Sequence, residues 1–420
     1  MATQTTYSYS PSARLFLLIS GFTSIVRAED KGDVVTDNLL TDFAPILALF
    51  GEKVTTQWLS GTFGWHDCLI FAVCPLGIIT AVVSVIRVAA PNSWKAIVGR
   101  ARESRALAEL DLLSSTSDEV CELWSGQALV RVMGSPSVFE VAYIDDLKNQ
   151  TTLGLHTIQE AKQILRNQKP GRTPTSAPNI SLNLGPSPKE RRRVLFVSMV
   201  FGIIVQVGVL IYGALISYYK WKTNFLKDGA TPPRFAYPIL AAGTILLVFG
   251  MFLCAYVIEH HTAEDKWIVD PKTIWLIWLQ RGQTVNDQRF ESYAICPPRP
   301  KDVLLTSRRI EKVGSVEPVH LQSKTIESDP ASPFRTHAIS GACITLVGFV
   351  LQFTGFRLMH WSATIAQFVA TAIVTGLRVW LRRDLAERPA AQLIAKKFEL
   401  DWFALNLAIR GKELWPSGIP

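Results

Sequence analysis

Acidic side chains are missing from every long apolar run of this chain. Proton- and cation-coupled transporters usually carry such groups inside their spans, so their absence argues against that class. Charge of either sign is scarce, at 19% of residues, which is low for a soluble chain. The six cysteines include no CxxC pair, and Cys74, Cys254 and Cys343 fall inside apolar segments. Neither a disulfide framework nor a zinc site is expected from that spacing. No P-loop, nucleotide-binding glycine fingerprint, GxSxG or HExxH is present. Ser117 and Cys121 have no base near them in sequence, so they do not read as nucleophiles. No cofactor is implied.

Apolar sequence is what the chain has in quantity. Hydrophobic residues make up 48% and the mean hydropathy is +0.21, on the membrane side of globular values. The length of 420 residues leaves room for two or three units. The run Val194–Tyr219 is free of charge and holds one strongly polar side chain, Gln206. At about 1.5 Å per residue it exceeds the ~30 Å hydrocarbon core of a bilayer. Tyr237–Ile258 is equally free of charge, and neither run shows the polar stripe of a soluble helix. Ala338–Leu358 and Trp361–Leu381 form a second pair, with Arg357 near the end of the first and Gln367 within the second. Leu69–Ile86 is uncharged and near the minimum spanning length. Pro75 and Gly77 would kink it, and a re-entrant or interfacial helix is the alternative. The expectation is an α-helical integral membrane protein with about five transmembrane helices and two mixed α/β cytosolic regions.

Between and around these runs the chain changes character. Arg14, the short apolar run Leu15–Val26 and the small residues up to Ala28 read as a signal peptide cleaved after residue 28. Leu39 to Phe50 carries apolar residues at helical spacing, within a short extracytosolic segment 29–68. In the polar region 87–193, Trp94–Leu113 has a helix-forming pattern, with Arg105 and Glu109 placed for an i,i+4 pair. Ser114–Asp118 supplies helix-entry residues before Glu119–Trp124. Ala128–Met133 and Ser137–Ile144 read as a strand pair across Gly134-Ser135-Pro136. Residues 167–188 are rich in Pro, Ser, Thr and Asn and read as a linker. In the second polar region, 259–337, Trp267–Trp278 and the turn around Gly282 read as a strand or hairpin. The tail 382–420 has an amphipathic stretch, Leu400–Ile409, expected on the membrane surface.

The net charge of +8 is concentrated beside the apolar runs. It therefore acts as a topology signal and an attraction to anionic lipid, and nucleic acid is not an expected partner. Arg87, Lys95, Arg100, Arg102 and Arg105 at one end of region 87–193, the Lys189–Arg193 cluster at the other, and a basic tail all favour the cytosol. Five spans then put the N-terminus outside and the C-terminus inside, in the secretory pathway or the plasma membrane. The basic loop Lys220–Ala236 objects to that order. The sequons at Asn149 and Asn179 would lie in the cytosol and stay unglycosylated.

Several blocks are distinctive: IFAVCPLGIITAVVSVIRV (Ile70–Val88), GRARESRALAELDLLSSTSDEVCELW (Gly99–Trp124), WLQRGQTVNDQRFESYA (Trp278–Ala294), LQFTGFRLMHWSATIAQ (Leu351–Gln367) and ELDWFAL (Glu399–Leu405). Together they resemble a family of uncharacterised fungal multi-pass membrane proteins, some members of which carry ankyrin repeats. The resemblance implies a multi-pass membrane protein from a fungus and carries no activity, substrate or site residue. No ankyrin period is visible in this chain.

Three groups of residues are candidates for chemistry. Glu259, His260, His261, Glu264 and Asp265 follow the second strong run and offer metal-ligating types. Adjacent histidines point to different sides of a helix, so a solvated helix end is the favoured reading. His66 (beside Asp67) and His360, with Gln206 and Gln367, could line a path, the two histidines lying at one outer face. Anchoring by Trp65 and Trp361, and amide bonding between helices by Gln206, Gln352 and Gln367, explain them as well. Asp145-Asp146 and Asn286-Asp287 with Glu291 suggest paired carboxylates for metal-assisted chemistry, against solvated loop charge as the favoured reading. The leading expectation is a non-enzymatic scaffold, sensor or receptor-like component in the lipid bilayer, binding a cytosolic protein partner. A channel or transporter is second, and a membrane-embedded metal-assisted enzyme using Glu259–Asp265 is third.

Overall fold

The computed structural model describes residues 51–62, 64–114, 119–134, 137–144, 154–157, 160–161, 179–184, 188–218, 232–261, 264–268, 274–298, 303–307, 334–383 and 388–410. The expected signal peptide, the stretch Leu39–Phe50, Asp145-Asp146, Asn149, most of the linker and most of the loop Lys220–Ala236 lie outside these residues. Among the described residues four helices are long and apolar enough to cross a membrane. The protein is therefore mostly helical, with a sheet-containing region attached to one end of the long helices.

Numbering helices in chain order, α1 comprises residues 51–60, α2 Trp65–Ala72, α3 Ile78–Ala89, α4 Asn92–Ile97 and α5 Arg105–Leu112. The four long helices are α6 (Pro188–Tyr218), α7 (Ala236–His260), α8 (Phe334–Leu358) and α9 (Trp361–Leu381). They correspond to the four strong apolar runs, and α6 takes in the basic cluster Arg191–Arg193 as its first turns. Helices α7 and α8 pack closely through glycines seven residues apart: Gly243 and Gly250 lie against Gln352 and Thr345 of α8, and Gly341, Gly348 and Gly355 against Cys254, Leu247 and Leu240 of α7. A Cβ at Gly243 would lie 2.2 Å from the Gln352 nitrogen, and one at Gly348 2.4 Å from the Leu247 nitrogen. Small residues at this seam let the backbones touch, the usual solution where no hydrophobic force drives helices together. Thr244 and Gln352 add a 3.1 Å hydrogen bond across it.

The apolar segment Leu69–Ile86, expected to be one span, is not one helix. It is divided between α2, of eight residues, and α3, of twelve, with non-helical backbone at Val73–Gly77. At about 1.5 Å per residue these helices rise about 12 and 18 Å, and neither crosses a ~30 Å core. Pro75 lacks an N–H, while Cys74 (φ 52°) and Gly77 (φ 67°) adopt the left-handed conformation, so the chain turns back. Both outer ends of the pair lie at the same end of the bundle. Trp65 begins α2 beside the start of α6 and the ends of α7 and α9. Ile86, near the end of α3, and its C-cap Ala90 belong to the same apolar cluster as Val257, Ile258 and Ala338. This is the sheet-side end, because Arg105 of α5 donates there to the His261 carbonyl. Residues 64–68, within the segment expected to be extracytosolic, thus lie at the end that carries the polar regions. Among the described residues the membrane-length helices number four, where about five were expected.

The sheet region holds a five-stranded antiparallel sheet, in the order β11-β9-β6-β3-β4. Its strands are β3 (Val138–Ile144), β4 (Gly154–Thr157), β6 (Ile274–Gln280), β9 (Tyr293–Cys296) and β11 (Ala390–Leu393). Central β6, with the sequence IWLIWLQ, is buried at every position. Ile274, Leu276 and Trp278 pack on one face with Trp124 and Ile180, while Ile277 and Leu279 pack on the other with Phe403. That is the period-two alternation of a strand covered on both faces. Separate two-stranded ladders join β1 (Val120–Trp124) to β2 (Leu129–Met133), β5 (Glu264–Ile268) to β10 (Val303–Ser307), and β7 (Gln283–Val285) to β8 (Gln288–Phe290).

Local expectations fared unevenly. The strands at Leu129–Met133 and Val138–Ile144 exist, but they do not pair with one another: β2 pairs with β1, and β3 with β6 and β4. Glu119–Trp124, read as following a helix entry, is mainly strand β1, because all of Val120–Trp124 is buried. Trp94–Leu113 is two helices, separated around Gly99 at φ 74°. The amphipathic tail stretch forms α10 (Glu399–Arg410), whose Phe403 is buried on the central sheet. Trp402 and Leu407 pack with it, while Leu400, Leu405 and Ile409 of the same helix remain exposed.

Candidate functional site

The break between α2 and α3 is where polar groups gather inside the helical bundle. A helix C-terminus leaves carbonyls without intrahelical partners, and at α2 these are supplied from α9. The Arg378 guanidinium is fully buried and donates to four carbonyls. Its Nη2 lies 3.0 Å from Ile70 O, 2.7 Å from Phe71 O, 2.7 Å from Val73 O and 3.2 Å from Cys74 O. Nε adds a second contact to Ile70 O at 3.2 Å. The guanidinium carbon stands 5.5 Å from the centre of the Phe71 ring. A cation here meets the negative end of the α2 dipole as well as its free carbonyls.

Beside this cap, Cys74 Sγ donates to Gln206 Oε1 at 2.9 Å. Gln206 Nε2 donates to Gln367 Oε1 at 3.1 Å, and Gln367 Nε2 lies 3.3 Å from Thr371 Oγ1. The two glutamines expected near membrane depth are therefore partners, and they serve the same break. Gln352 is elsewhere, on the α7–α8 seam.

The entrance of α2 holds a second polar group. Asp67 is fully buried, with Arg382 Nη2 3.6 Å and Arg191 Nη2 3.9 Å from its carboxylate. The Arg382 guanidinium covers the Trp58 ring at 4.2 Å. Glu259 Oε1 accepts from the Gly64 N–H at 3.1 Å, tying the end of α7 to the start of α2.

The exit of α3 is tied to the sheet region. Arg87 is buried at the last turn of α3. Its Nε reaches both carboxylate oxygens of Glu103, at 2.9 and 3.0 Å, and its Nη2 reaches Asp111 of α5 at 2.9 Å. Burial pulls against the charged form of Arg87, and the hydrogen bonds to Glu103 and Asp111 outweigh it, so the net shift is upward. From α5 the connection continues. Arg131 of β2 donates to the carbonyls of Glu109, Leu113 and Ser114 and pairs with buried Glu122 of β1 at 3.0 Å. Glu122 in turn accepts from the Ser181 N–H at 2.6 Å.

The histidines expected at one face are at opposite ends of the bundle. His66 stacks on Trp65 at 3.8 Å and faces Phe196 at the sheet-side end. His360 is buried next to Met359, which packs with Ile216, Ala236 and Leu240 at the far end. There His360 caps α9, its Nδ1 accepting from the Ser362 N–H at 3.2 Å. Burial pushes its pKa down to about 4.

Among the described residues no group of three His, Cys, Asp or Glu side chains could hold an ion. His260 and His261 turn their Nδ1 atoms back to the carbonyls of Tyr256 and Val257, at 3.1 and 2.8 Å. His260 also contacts Glu259 at 2.7 Å, while Glu264 and Asp265 belong to strand β5. Asn286 and Asp287 have φ of 50° and 62° and form the two-residue turn between β7 and β8. Positive φ at both positions is the signature of a type I′ hairpin. Glu291 pairs with Lys396 at 2.6 Å and Arg289 at 3.0 Å on the surface.

Arg378 carried a signal that sequence reading passed over. It is a lone cation inside the otherwise uncharged run Trp361–Leu381, three residues short of the run's end. No protein-family model, curated protein or solved structure matches the chain.

Proposed function

We propose that this chain is a non-enzymatic multi-pass membrane protein, a sensor or receptor-like component. Its α2–α3 pair enters and leaves the bilayer on one side and passes a change within the membrane to the sheet region. Helices α6–α9 are the spans, and the sheet-side end faces the cytosol, where basic residues collect. In that reading the sheet region presents itself to a cytosolic protein partner.

The observation that carries the proposal is the Arg87 clamp on Glu103 and Asp111. It joins the exit of the hairpin to α5, and Arg131 joins α5 to the β1–β2 ladder. A movement of the hairpin would reach the sheet region through charge-assisted hydrogen bonds rather than a slack linker. Gln206 and Gln367 bond to one another, which supports a fixed structural role over a conduction path.

Hydrogen exchange in nanodiscs of two lipid chain lengths tests the relay. Thinner bilayers are expected to change exchange across Val120–Met133 in the native protein and to leave it unchanged in Arg87→Met. A native protein whose β1–β2 ladder ignores bilayer thickness would sink the relay. Glycan attached to a sequon engineered at the sheet-side end would sink the orientation.

A further inference from the structure

We infer that the broken end of α2 is a binding site for a monovalent, weakly hydrated cation of the guanidinium or potassium class, and that Arg378 occupies it as a tethered ligand. The argument is one of counting. A single nitrogen, Arg378 Nη2, has four carbonyl oxygens within 3.2 Å. Nε also serves the Ile70 oxygen, so the other three oxygens share the two hydrogens of Nη2 and still outnumber them. Oxygens gathered beyond hydrogen-bonding capacity around one positive centre describe a coordination shell. Channels build such shells from backbone carbonyls to replace an ion's hydration.

The class of cation follows from the distances and the ligands. Oxygens at 2.7–3.2 Å stand farther off than calcium (~2.3–2.6 Å) or magnesium (~2.0–2.1 Å) requires. All four oxygens belong to neutral carbonyls, and Arg378 has no carboxylate partner among the described residues, so the site lacks the charge that divalent ions demand. The Phe71 ring at 5.5 Å favours a planar organic cation, because a ring face attracts such a charge. Guanidinium is also weakly hydrated, which lowers the cost of taking it into the bundle. Arg378 reaches the site from α9 and is itself only 2% exposed. The left-handed turn at Cys74 aims the Val73 and Cys74 carbonyls at the same point as those of Ile70 and Phe71. This assignment does not depend on the relay reading, which concerns the other end of the hairpin.

The test uses the full chain in nanodiscs at constant ionic strength, with N-methylglucamine as the bulky reference cation. Thermal stability of the native protein and of Arg378→Ala is measured on exchange into potassium, sodium or methylguanidinium. The native protein is expected to be indifferent to the exchange. Arg378→Ala is expected to melt lower in N-methylglucamine and to recover by about 2–4 °C in potassium or methylguanidinium, as for a ligand near ten times its Kd. A folded Arg378→Ala that ignores all three cations overturns the inference, and so does a native protein that responds to them. Should Arg378→Ala fail to fold in N-methylglucamine, recovery of folded protein when it is purified in methylguanidinium supports the site. Failure in every cation, with Arg378→Lys folded and no more stable than Arg378→Leu, overturns it.

Discussion

Gln206 and Gln367, 161 positions apart, face each other amide to amide: each donates to the other's carbonyl oxygen, at 3.1 and 3.3 Å. Cys74 and Thr371 complete the set. A closed ring of this kind uses polar side chains to fix helix against helix. Replacing either glutamine by Leu is expected to cost about 1–2 kcal/mol, with the double variant costing clearly less than the sum. Equilibrium unfolding in mixed micelles measures this. Ion flux into proteoliposomes should be the same for native and variant protein, and a loss of flux would restore the channel reading.

The glycine seam between α7 and α8 makes a sharper prediction. Gly348→Leu would force side-chain atoms into the Leu247 backbone and is expected to abolish monodisperse protein on size-exclusion chromatography. Gly376→Ala, on α9 with nothing within 4 Å of its Cβ, is expected to be neutral or to stabilise by up to about 1 kcal/mol.

His360 predicts a pH dependence. Its folded pKa is lowered to about 4 by burial, against an ordinary value of 6.5. Below the ordinary value the unfolded chain binds a proton that the folded chain refuses, so its contribution to stability is lost as pH falls from 6.5 towards 4. Protonation would also remove the Nδ1 acceptor that caps α9. A melting series over that range should show a smaller fall for His360→Asn, which keeps a capping side chain without titrating.

The turn at Asn286-Asp287 separates the metal reading from the structural one. Asp287→Gly places the favoured residue at a position with φ of 62°, and is expected to leave stability unchanged or raise it by about 0.5–1 kcal/mol. Loss of bound divalent ion in that variant, measured on the purified protein, would contradict the turn reading.

The four long helices were legible because an uncharged run longer than the bilayer leaves few alternatives. The strand IWLIWLQ was legible from its apolar run and the Gly282 turn. The course of Leu69–Ile86 was not, because whether Pro75 and Gly77 kink a span or reverse it depends on partners outside the segment. The deciding group, Arg378, is 304 positions from Cys74. Strand pairing failed for a related reason: Gly134-Ser135-Pro136 suggests a hairpin, but β6, more than a hundred residues on, takes β3 instead. The glycine repeat in α7 and α8 was present in the sequence, and only its reading was missed. His66 and His360 were placed together by a count of five crossings, and one reversal in the chain moved them apart.

The distance in sequence between Arg378 and its carbonyls sets an order of events during synthesis. At roughly 5–20 residues per second, about 15–60 s separate the emergence of Ile70 from that of Arg378. Throughout that interval α2 and α3 exist without the charge that closes their turn. A ribosome-bound chain that ends before α9 lacks the Arg378 guanidinium that caps α2. Truncation within α9 before Arg378 would therefore remove the cap of α2, about 300 positions earlier in the chain.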